Sequence, residues 1–300
     1  MNTFTTIDPT QIDQKSLHNH LLSAVAPRPI CFASTIDKEG NVNLSPFSYF
    51  NVFSSNPPIL IFSPARSGKD NTQKHTLENV MEVDEVVINI IHYPLVEQMS
   101  LSSAPYQKGV NEFVKSGLTQ VKSTKVQPPR VGEAPISFEC KVNQVIPMGD
   151  GPGSGNLVIA EVVLIHFQDK YLDESGNLVT EKIDWVARMG ESWYAKVNKE
   201  ALFQIPKPIT KKGIGVDQLP ESAQKSSVLT GNDLGRLGKN DRIPSQQEID
   251  QLKNSDLIQK TLATIKNEDK IEYFHQLTQK ELDKKNYLKA LTIVFLVEQV

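Results

Sequence analysis

Short runs of β-branched and aromatic residues, separated by Gly, Asn and Pro, dominate the chain between residues 28 and 197. The runs at 29–36 and 58–62 have the length and composition of β-strands. Further strands are predicted at residues 42–50, 85–91, 136–146, 157–167 and 184–189. The pattern therefore indicates a mainly β domain.

The connections between these runs are short. Asp37-Lys-Glu-Gly-Asn41 is predicted to be a hairpin turn, because Gly and Asn tolerate positive φ where the chain reverses. One helix, from about residue 76 to residue 82, separates two of the strands. Together these features predict an antiparallel β-barrel, closed or partly closed, with peripheral helices, since closure removes exposed sheet edges.

The pattern changes after Pro206-Lys-Pro208, where polar and helix-forming residues take over. We expect a barrel domain at 1–205, a polar linker or wrapping segment at 206–243, and a helical C-terminal extension at 244–300. Ser245-Gln-Gln-Glu248 has the form of a capping box, and apolar residues follow it at helical spacing. For residues 228–235 we favour a capped turn over an arm that reaches a partner's pocket.

Composition excludes several classes of protein. The net charge of −3 and the lack of any block of like charges give no field that would attract nucleic acid. The two cysteines, Cys31 and Cys140, lie in predicted strands and are expected to be buried thiols rather than a disulfide or zinc pair. His18 and His20 would face different directions on a helix, so no protein-bound metal is predicted.

Neither end of the chain predicts a membrane segment. The N-terminus lacks a basic region followed by an apolar run, and the apolar run at 290–297 is much shorter than the roughly 20 residues that cross a bilayer. A cytoplasmic location is expected.

The glycine-rich stretch at 149–155 matches neither a phosphate loop nor a dinucleotide fingerprint, and is predicted to be a hairpin loop.

Three segments carry a resemblance to a known family. They are Asn43-Leu-Ser-Pro-Phe-Ser-Tyr-Phe-Asn51, Asn56-Pro-Pro-Ile-Leu-Ile-Phe-Ser63 and Lys74-His-Thr-Leu-Glu-Asn-Val80. Together they resemble the FMN-binding split barrel of the flavin reductase-like (flavoredoxin-like) family. Val110-Asn-Glu-Phe113, Gly117-Leu-Thr119 and the stretch from Asp184 to Gly190 with Tyr194 are also similar, so the resemblance covers roughly residues 20 to 200.

The resemblance implies an FMN site built from these segments. Residues 45–48 would run beside the isoalloxazine ring, where Pro46 holds Ser45 extended and interrupts strand pairing; a simple strand bulge is the alternative. Hydroxyl, guanidinium and ammonium groups near the start of the following helix suit a phosphate dianion. The implied cofactor-binding residues are Ser45, Pro46, Phe47, Ser48, Ser63, Arg66, Lys74, Thr76, Asn79 and Arg188.

Several assignments stay open. The sequence has His75 and Glu191 where the family has Asp and Gly, and an upstream Lys69-Asp-Asn-Thr72 offers a second alignment of the helix start. We favour Lys74, because Asn79 then falls at the family's Asn, and expect Lys69 to be solvated. Arg188 suits either phosphate or substrate, or else a salt bridge. His166, at a strand end, is a catalytic candidate with a structural role as its alternative.

The function implied by the resemblance is NAD(P)H-dependent flavin reduction in a homodimer with one FMN per subunit near the interface. NADH or NADPH would bind transiently over the ring, since the chain lacks a dinucleotide fingerprint, and pass hydride to flavin N5. The electrons would then go to a small-molecule or protein acceptor. The alternatives are a non-enzymatic FMN-binding electron carrier, and a scaffold that uses the barrel and the C-terminal helices for interaction.

Overall fold

The computed structural model describes residues 3–206 and 212–300 of the chain. These residues form two compact units, Met1–Phe203 and Gln204–Val300. Each unit has its own hydrophobic clusters, and each is described below by itself.

The first unit contains twelve strands and four α-helices among its described residues. The strands are β1 Arg28–Pro29, β2 Cys31–Ile36, β3 Val42–Phe47, β4 Phe50–Ser55, β5 Pro58–Phe62, β6 Glu85–Ile90, β7 Gln120–Val121, β8 Arg130–Val131, β9 Ile136–Pro147, β10 Asn156–Phe167, β11 Trp185–Arg188 and β12 Tyr194–Val197. The helices are α1 Gln14–Ala24, α2 His75–Glu82, α3 Val96–Ser102 and α4 Glu112–Ser116.

Seven of the strands form one sheet in the order β3-β2-β6-β9-β10-β5-β4. All neighbouring strands in this sheet run antiparallel. Two smaller sheets, β1-β11-β12 and β7-β8, accompany it. The mainly β, antiparallel architecture expected from the sequence is therefore confirmed.

The chain crosses from one edge of this sheet to the other between β3 and β4. The predicted turn at Asp37–Asn41 joins β2 to β3, and Gly40 adopts a φ of +85° there. The single strand predicted at residues 42–50 is wrong, however, because β3 ends at Phe47 and β4 begins at Phe50. The two strands bond to different neighbours at opposite edges of the sheet, so the two intervening residues must redirect the chain.

Strand β2 is buried on both faces and divides the core in two. Cys31 and Ala33 belong to one hydrophobic cluster, whereas Phe32 belongs to a second cluster on the other face. Cys31 and Cys140 are fully buried free thiols, as predicted, and burial raises the pKa of both.

The second unit is helical in its described residues. Its helices are α5 Glu221–Gln224, α6 Gly231–Gly238, α7 Gln246–Lys253, α8 Asp256–Thr264, α9 Lys270–Asp283 and α10 Tyr287–Val297. The predicted capping box is present, since the Ser245 hydroxyl accepts from the Glu248 N–H while the Glu248 carboxylate accepts from the Ser245 N–H. A second capping box at Thr230 and Asp233 opens α6, so residues 228–235 begin a helix rather than forming an isolated turn.

The segment expected to be a polar linker or wrapping segment, 206–243, contributes several residues to the core of this unit; residues 207–211 lie outside the described part. Leu219, Ala223, Leu229 and Leu237 are buried with apolar side chains of α9 and α10. These four residues are spaced irregularly, so they show no helical period in the sequence. Their burial comes from tertiary packing.

Helix α10 is the centre of the second unit. Ala290, Leu291, Ile293, Val294 and Leu296 are all fully buried, and the helix packs against α6, α7 and α9. A helix that is apolar nearly all round belongs inside a core.

Across the described residues, every helix is too short or too polar to traverse a bilayer.

We predict that Leu291→Ala lowers the free energy of unfolding of the helical unit by about 2–5 kcal/mol, because it leaves a cavity beside α9. Leu288→Ala, on the same helix but 39% exposed, is the matched control and should cost much less. Urea titrations followed by circular dichroism at 222 nm measure both variants. Equal losses would show that α10 is not the buried centre.

Candidate functional site

The segment that crosses the sheet lies against the end of β5. The Ser63 N–H donates to the Tyr49 carbonyl at 2.8 Å, and the rings of Phe47 and Phe62 lie 5.2 Å apart between centroids. Ser45, Pro46 and Ser48 are half-buried along this segment. The structure therefore brings residues 45–48 next to Ser63, two groups that the sequence had linked only by resemblance.

Ser63 is also joined to the glycine-rich hairpin loop between β9 and β10. Its hydroxyl accepts from the Asn156 N–H at 3.1 Å, and the Arg66 N–H donates to the Ser154 carbonyl at 2.9 Å. A Cβ on Gly155 would lie 2.7 Å from the Ser63 Oγ. Glycine is required here for this close approach, which explains part of the glycine content that matched no phosphate-binding motif.

The Arg66 side chain holds the loop between β5 and α2 through hydrogen bonds within that loop. Its Nε donates to the Asn71 Oδ1 and its Nη2 to the Asn71 carbonyl, both at 2.7 Å. Asn71 has a φ of +60° and donates from Nδ2 to the Asp150 carbonyl at 2.9 Å. Some of the guanidinium donors predicted for phosphate are thus used to hold this loop against the glycine-rich hairpin.

The N-terminus of α2 is open to a ligand. Lys74 is the N-cap residue, and its side chain makes no capping hydrogen bond. The first backbone N–H groups of a helix have no intrahelical partner and carry partial positive charge. Lys74 is exposed, so the residue at this positively polarised end of the helix carries a solvent-accessible ammonium.

The side chains of Thr76 and Asn79 face inward. The Thr76 hydroxyl donates to the Asn43 Oδ1 at 2.7 Å, and the Asn79 Nδ2 donates to the Thr35 Oγ1 at 3.1 Å. Thr35 and Asn43 are direct cross-strand partners on β2 and β3. Both predicted ligands therefore dock α2 onto this strand pair through buried hydrogen bonds.

The surroundings of Lys69 disfavour an anion there, which leaves Lys74 as the better candidate for the phosphate contact. Asp70 follows Lys69, and hydrogen bonds from Ser67 and Thr72 lower the pKa of the Asp70 carboxyl to about 2. A fixed negative charge beside Lys69 opposes phosphate binding there.

Arg28 is a site residue that the sequence did not indicate. It is 5% exposed, and its guanidinium donates to the carbonyls of Leu22, Val25 and Met189 and, at 3.5 Å, to the Ser48 hydroxyl. Burial lowers the pKa of Arg28, Tyr49 opposes this shift, and the nearby Arg188 adds to it. The structure thus places a buried cation directly behind the turn at residues 48–49.

Arg188 lies on β11 opposite Arg28 on β1. Its guanidinium carbon is 4.5 Å from the centroid of the Tyr194 ring, and its Nη2 donates to the Glu191 carbonyl. Within the described residues Arg188 has no carboxylate partner, and these two contacts hold its guanidinium over Tyr194.

His166 lies at the end of β10 far from Ser63. Its Nε2 is 2.7 Å from the Glu139 Oε1, and the Glu139 carboxylate also accepts from the N–H groups of Thr124 and Lys125 at 2.8 and 2.5 Å. Burial raises the pKa of Glu139, but these hydrogen bonds outweigh it and hold the pKa below its ordinary value. The contacts favour the structural alternative for His166.

These features fit the groups that a flavin mononucleotide presents. An N–H-rich helix start with an adjacent ammonium suits a phosphate dianion, and a half-buried segment of hydroxyls and apolar side chains, backed by a cation, suits a polar aromatic ring. Among residues 3–206 and 212–300 no group of three or more His, Cys, Asp or Glu side chains is arranged to hold a metal ion.

Comparison with known proteins agrees with this geometry. Residues 23–182 match the model of the flavin reductase like domain, and the chain belongs to that family. An Aquifex aeolicus protein of unassigned function is 37% identical over 195 residues, which is 65% of this chain and 97% of that protein. The family match, residues 23–182, lies within the first unit, so the helical unit is outside the family domain.

Solved structures show the same fold. Nitrilotriacetate monooxygenase component B from Bacillus cereus has a TM-score of 0.63 and 29% identity, covering 68% of this chain and 100% of that one. A split-barrel protein from Shewanella frigidimarina has a TM-score of 0.56 and 25% identity, covering 66% of this chain and 95% of that one. The predicted split barrel and the predicted family are both confirmed, and the family supports a flavin-related redox function.

We predict that Glu139→Gln lowers the free energy of unfolding at pH 7 by about 1.5–3 kcal/mol, the usual range for hydrogen bonds to a charged group. The folded-state pKa of Glu139 is below its ordinary value of 4.5. Its contribution is therefore present above pH 4.5 and is lost as the pH falls through the folded-state pKa. The difference between variant and parent should shrink in acid.

Denaturant titrations from pH 7 to pH 3 measure this difference. Glu174→Gln, at an exposed carboxylate, is the control and should show little difference at any pH. A Glu139→Gln difference that stays constant down to pH 3 would contradict the prediction.

Proposed function

We propose that this protein binds FMN and catalyses NAD(P)H-dependent flavin reduction. Two contacts at β3 and the turn that follows it carry the proposal. The Ser63 N–H donates to the Tyr49 carbonyl beside the segment 45–48, and Thr76, at the start of α2, donates to Asn43 on β3. Family membership and the redox role stated in the name of the Bacillus cereus relative support it.

The phosphate of FMN would bind at the start of α2. Lys74 supplies an ammonium, and the unpaired N–H groups of the first turn supply hydrogen-bond donors. Arg66 and Ser63 hold the neighbouring loop in place and leave part of the guanidinium for the anion. In this arrangement Thr76 and Asn79 support the site from within, and Lys74 contacts the ligand.

The flavin ring would lie along residues 45–48. When bound, the flavin supplies the redox chemistry by accepting hydride from NADH or NADPH and passing electrons to an acceptor. Arg28 sits behind Ser48 with a positive charge that has no carboxylate partner in the described part of the chain. This preorganised charge would favour the negative charge that the ring gains on reduction.

A homodimer belongs to the same proposal. Strand β4 is an edge of the seven-stranded sheet, and its side chains Val52 and Phe53 are 63% and 64% exposed. An exposed apolar sheet edge is normally covered in solution. A second copy of this chain would cover it close to the segment that contacts the ring.

We predict that Lys74→Ala weakens FMN binding at least about tenfold, the loss expected for one charged hydrogen bond. Riboflavin, which lacks the phosphate, should bind both proteins equally. Lys69→Ala is the control, since Asp70 already neutralises that position, and should change little. Fluorescence titrations give the dissociation constants of FMN and riboflavin for the parent and for each variant, and a larger effect from Lys69→Ala would reassign the phosphate contact.

We predict that either NADH or NADPH bleaches the visible band of the FMN-loaded protein under anaerobic conditions. Successive additions of the two nucleotides, with spectra after each, identify the donor. A spectrum that remains oxidised with both would favour the electron-carrier alternative. Failure to retain FMN would remove the cofactor from the proposal.

A further inference from the structure

Two arginines face each other across the small sheet β1-β11-β12. Arg28 on β1 and Arg188 on β11 are direct cross-strand partners, and Arg188 is in turn the partner of Tyr194 on β12. Directly opposite residues of an antiparallel pair project from the same face of the sheet. Arg28, Arg188 and Tyr194 therefore form a row on one face, which we call the arginine row.

The two positive charges in this row lack a counter-charge. Among the described residues neither guanidinium has a carboxylate partner. Like charges directly opposite on paired strands repel each other, and besides burial the charge on Arg188 lowers the pKa of Arg28. The fold thus keeps two cations together at an electrostatic cost that a bound anion would offset.

The two arginines differ in the hydrogen-bond donors that they leave unused. A guanidinium has five N–H donors. Arg28 uses four of them, on three main-chain carbonyls and the Ser48 hydroxyl, whereas Arg188 uses one, on the Glu191 carbonyl. Arg188 is half-buried and lies over the Tyr194 ring. The donors available to an anion therefore belong to Arg188.

A second cation on the same hairpin has the neutralising partner that Arg188 lacks. The Lys196 ammonium on β12 lies 4.1 Å from the centroid of the Tyr93 ring and 3.2 Å from the Asp184 Oδ2. Lys196 thus combines an aromatic contact with a carboxylate. Arg188 has the aromatic contact alone, so the missing counter-charge is a property of its position and not of the hairpin.

The hairpin between β11 and β12 is held in place from two sides. The Arg28 Nη2 donates to the Met189 carbonyl at 2.9 Å. A Cβ on Gly190 would lie 3.1 Å from the Ser23 Cα, so α1 packs closely against the hairpin at this glycine. These contacts fix the strand end from which Arg188 extends, and a fixed cation binds an anion with little cost of reorganisation.

The arginine row lies beside the segment proposed to contact the flavin ring. Arg28 donates to Ser48 at 3.5 Å, and Arg188 is one strand spacing, about 4.8 Å, from Arg28. The start of α2 bonds instead to Asn43, through Thr76. Along an extended chain Asn43 and Ser48 are roughly 16 Å apart. By these contacts Arg188 belongs to the end of the segment opposite the start of α2, where the FMN phosphate is proposed to bind.

The second anion that must approach the flavin ring is the pyrophosphate of the hydride donor. It is joined to a nicotinamide that has to lie over the ring, and its oxygens suit the paired hydrogen bonds of a guanidinium. We propose that Arg188 binds the pyrophosphate of NADH or NADPH and so determines the affinity for the donor. The proposal rests on the proposed function, since it names the donor contact of the same site.

The experiment compares two hydride donors by anaerobic stopped-flow absorbance. One is whichever of NADH and NADPH reduces the FMN-loaded protein. The other is N-benzyl-dihydronicotinamide, which has the same reacting ring but no phosphate. The ratio of their second-order rate constants for flavin reduction isolates the contribution of the phosphates.

Arg188→Gln should lower this ratio at least about tenfold, the loss expected when hydrogen bonds to a charged group are removed. The dinucleotide concentration that gives half the maximal rate should rise by the same factor. The limiting rate should stay unchanged, because the proposed contact is remote from the reacting ring atoms. Arg188→Lys should recover part of the ratio, since it keeps the charge but loses the paired geometry. Its intermediate ratio is a sufficient test if Arg188→Gln does not fold.

Lys196→Gln is the matched control. It removes a cation of the same hairpin that already has a carboxylate partner, so its ratio should equal the parent's. Calorimetric titration of the oxidised dinucleotide into each FMN-loaded protein measures binding without turnover. It should show the same loss of at least about tenfold for Arg188→Gln and none for Lys196→Gln.

The outcomes separate the two proposals. An unchanged ratio in Arg188→Gln, or an equal slowing with both donors, would overturn the role of Arg188 and leave flavin reduction in place. Weaker binding of FMN but not of riboflavin in this variant would also overturn it, because Arg188 would then contact the FMN phosphate. Failure of both dinucleotides to reduce the parent protein would overturn both proposals.

Discussion

Buried hydrogen bonds between α2 and the β2–β3 strand pair fix the candidate site. Apolar residues of α2, Leu77 and Val80, pack into the barrel core, but apolar contact does not determine how a short helix is rotated or where it begins. Thr76 and Asn79 each bond to one member of a cross-strand pair, Asn43 and Thr35. Leaving any of these groups unpaired would cost roughly 1–3 kcal/mol, so the position of the helix start is strongly specified.

Polar groups must also find hydrogen-bond partners where the chain passes from one edge of the seven-stranded sheet to the other. The residues between β3 and β4 leave the regular ladder, and their polar groups need other partners. The Ser63 N–H donates to the Tyr49 carbonyl, and the Arg28 Nε donates to the Ser48 hydroxyl. Arg28 itself is held by carbonyls at the end of α1 and in the β11–β12 hairpin. A buried charge held by main-chain oxygens ties three separate parts of the first unit to the turn.

The helical unit is stabilised differently from the barrel domain. Its central helix α10 is apolar nearly all round, and two of the helices that cover it, α6 and α7, are short and start at capping boxes. Short helices are marginal in water and gain most of their stability from packing. The unit is therefore held by burial around one helix, whereas the barrel domain depends on both burial and directed polar contacts at its site.

The sequence by itself determined most of the longer strands, the turn at 37–41, the capping box at Ser245 and the split-barrel family, because periodicity, turn chemistry and short motifs are local properties of the chain. It also located the segments that converge at the site. It indicated an interruption of strand pairing at Pro46, whereas Pro46 is paired with Phe32 and the break between β3 and β4 comes at residues 48–49. It did not reveal the burial of apolar residues between 219 and 237 or the inward direction of Thr76 and Asn79. Nor did it indicate Arg28. Only the tertiary structure decided these features, since each depends on which distant residue lies opposite, and hydrogen-bond partners such as Asn43 and Glu112 are 69 residues apart.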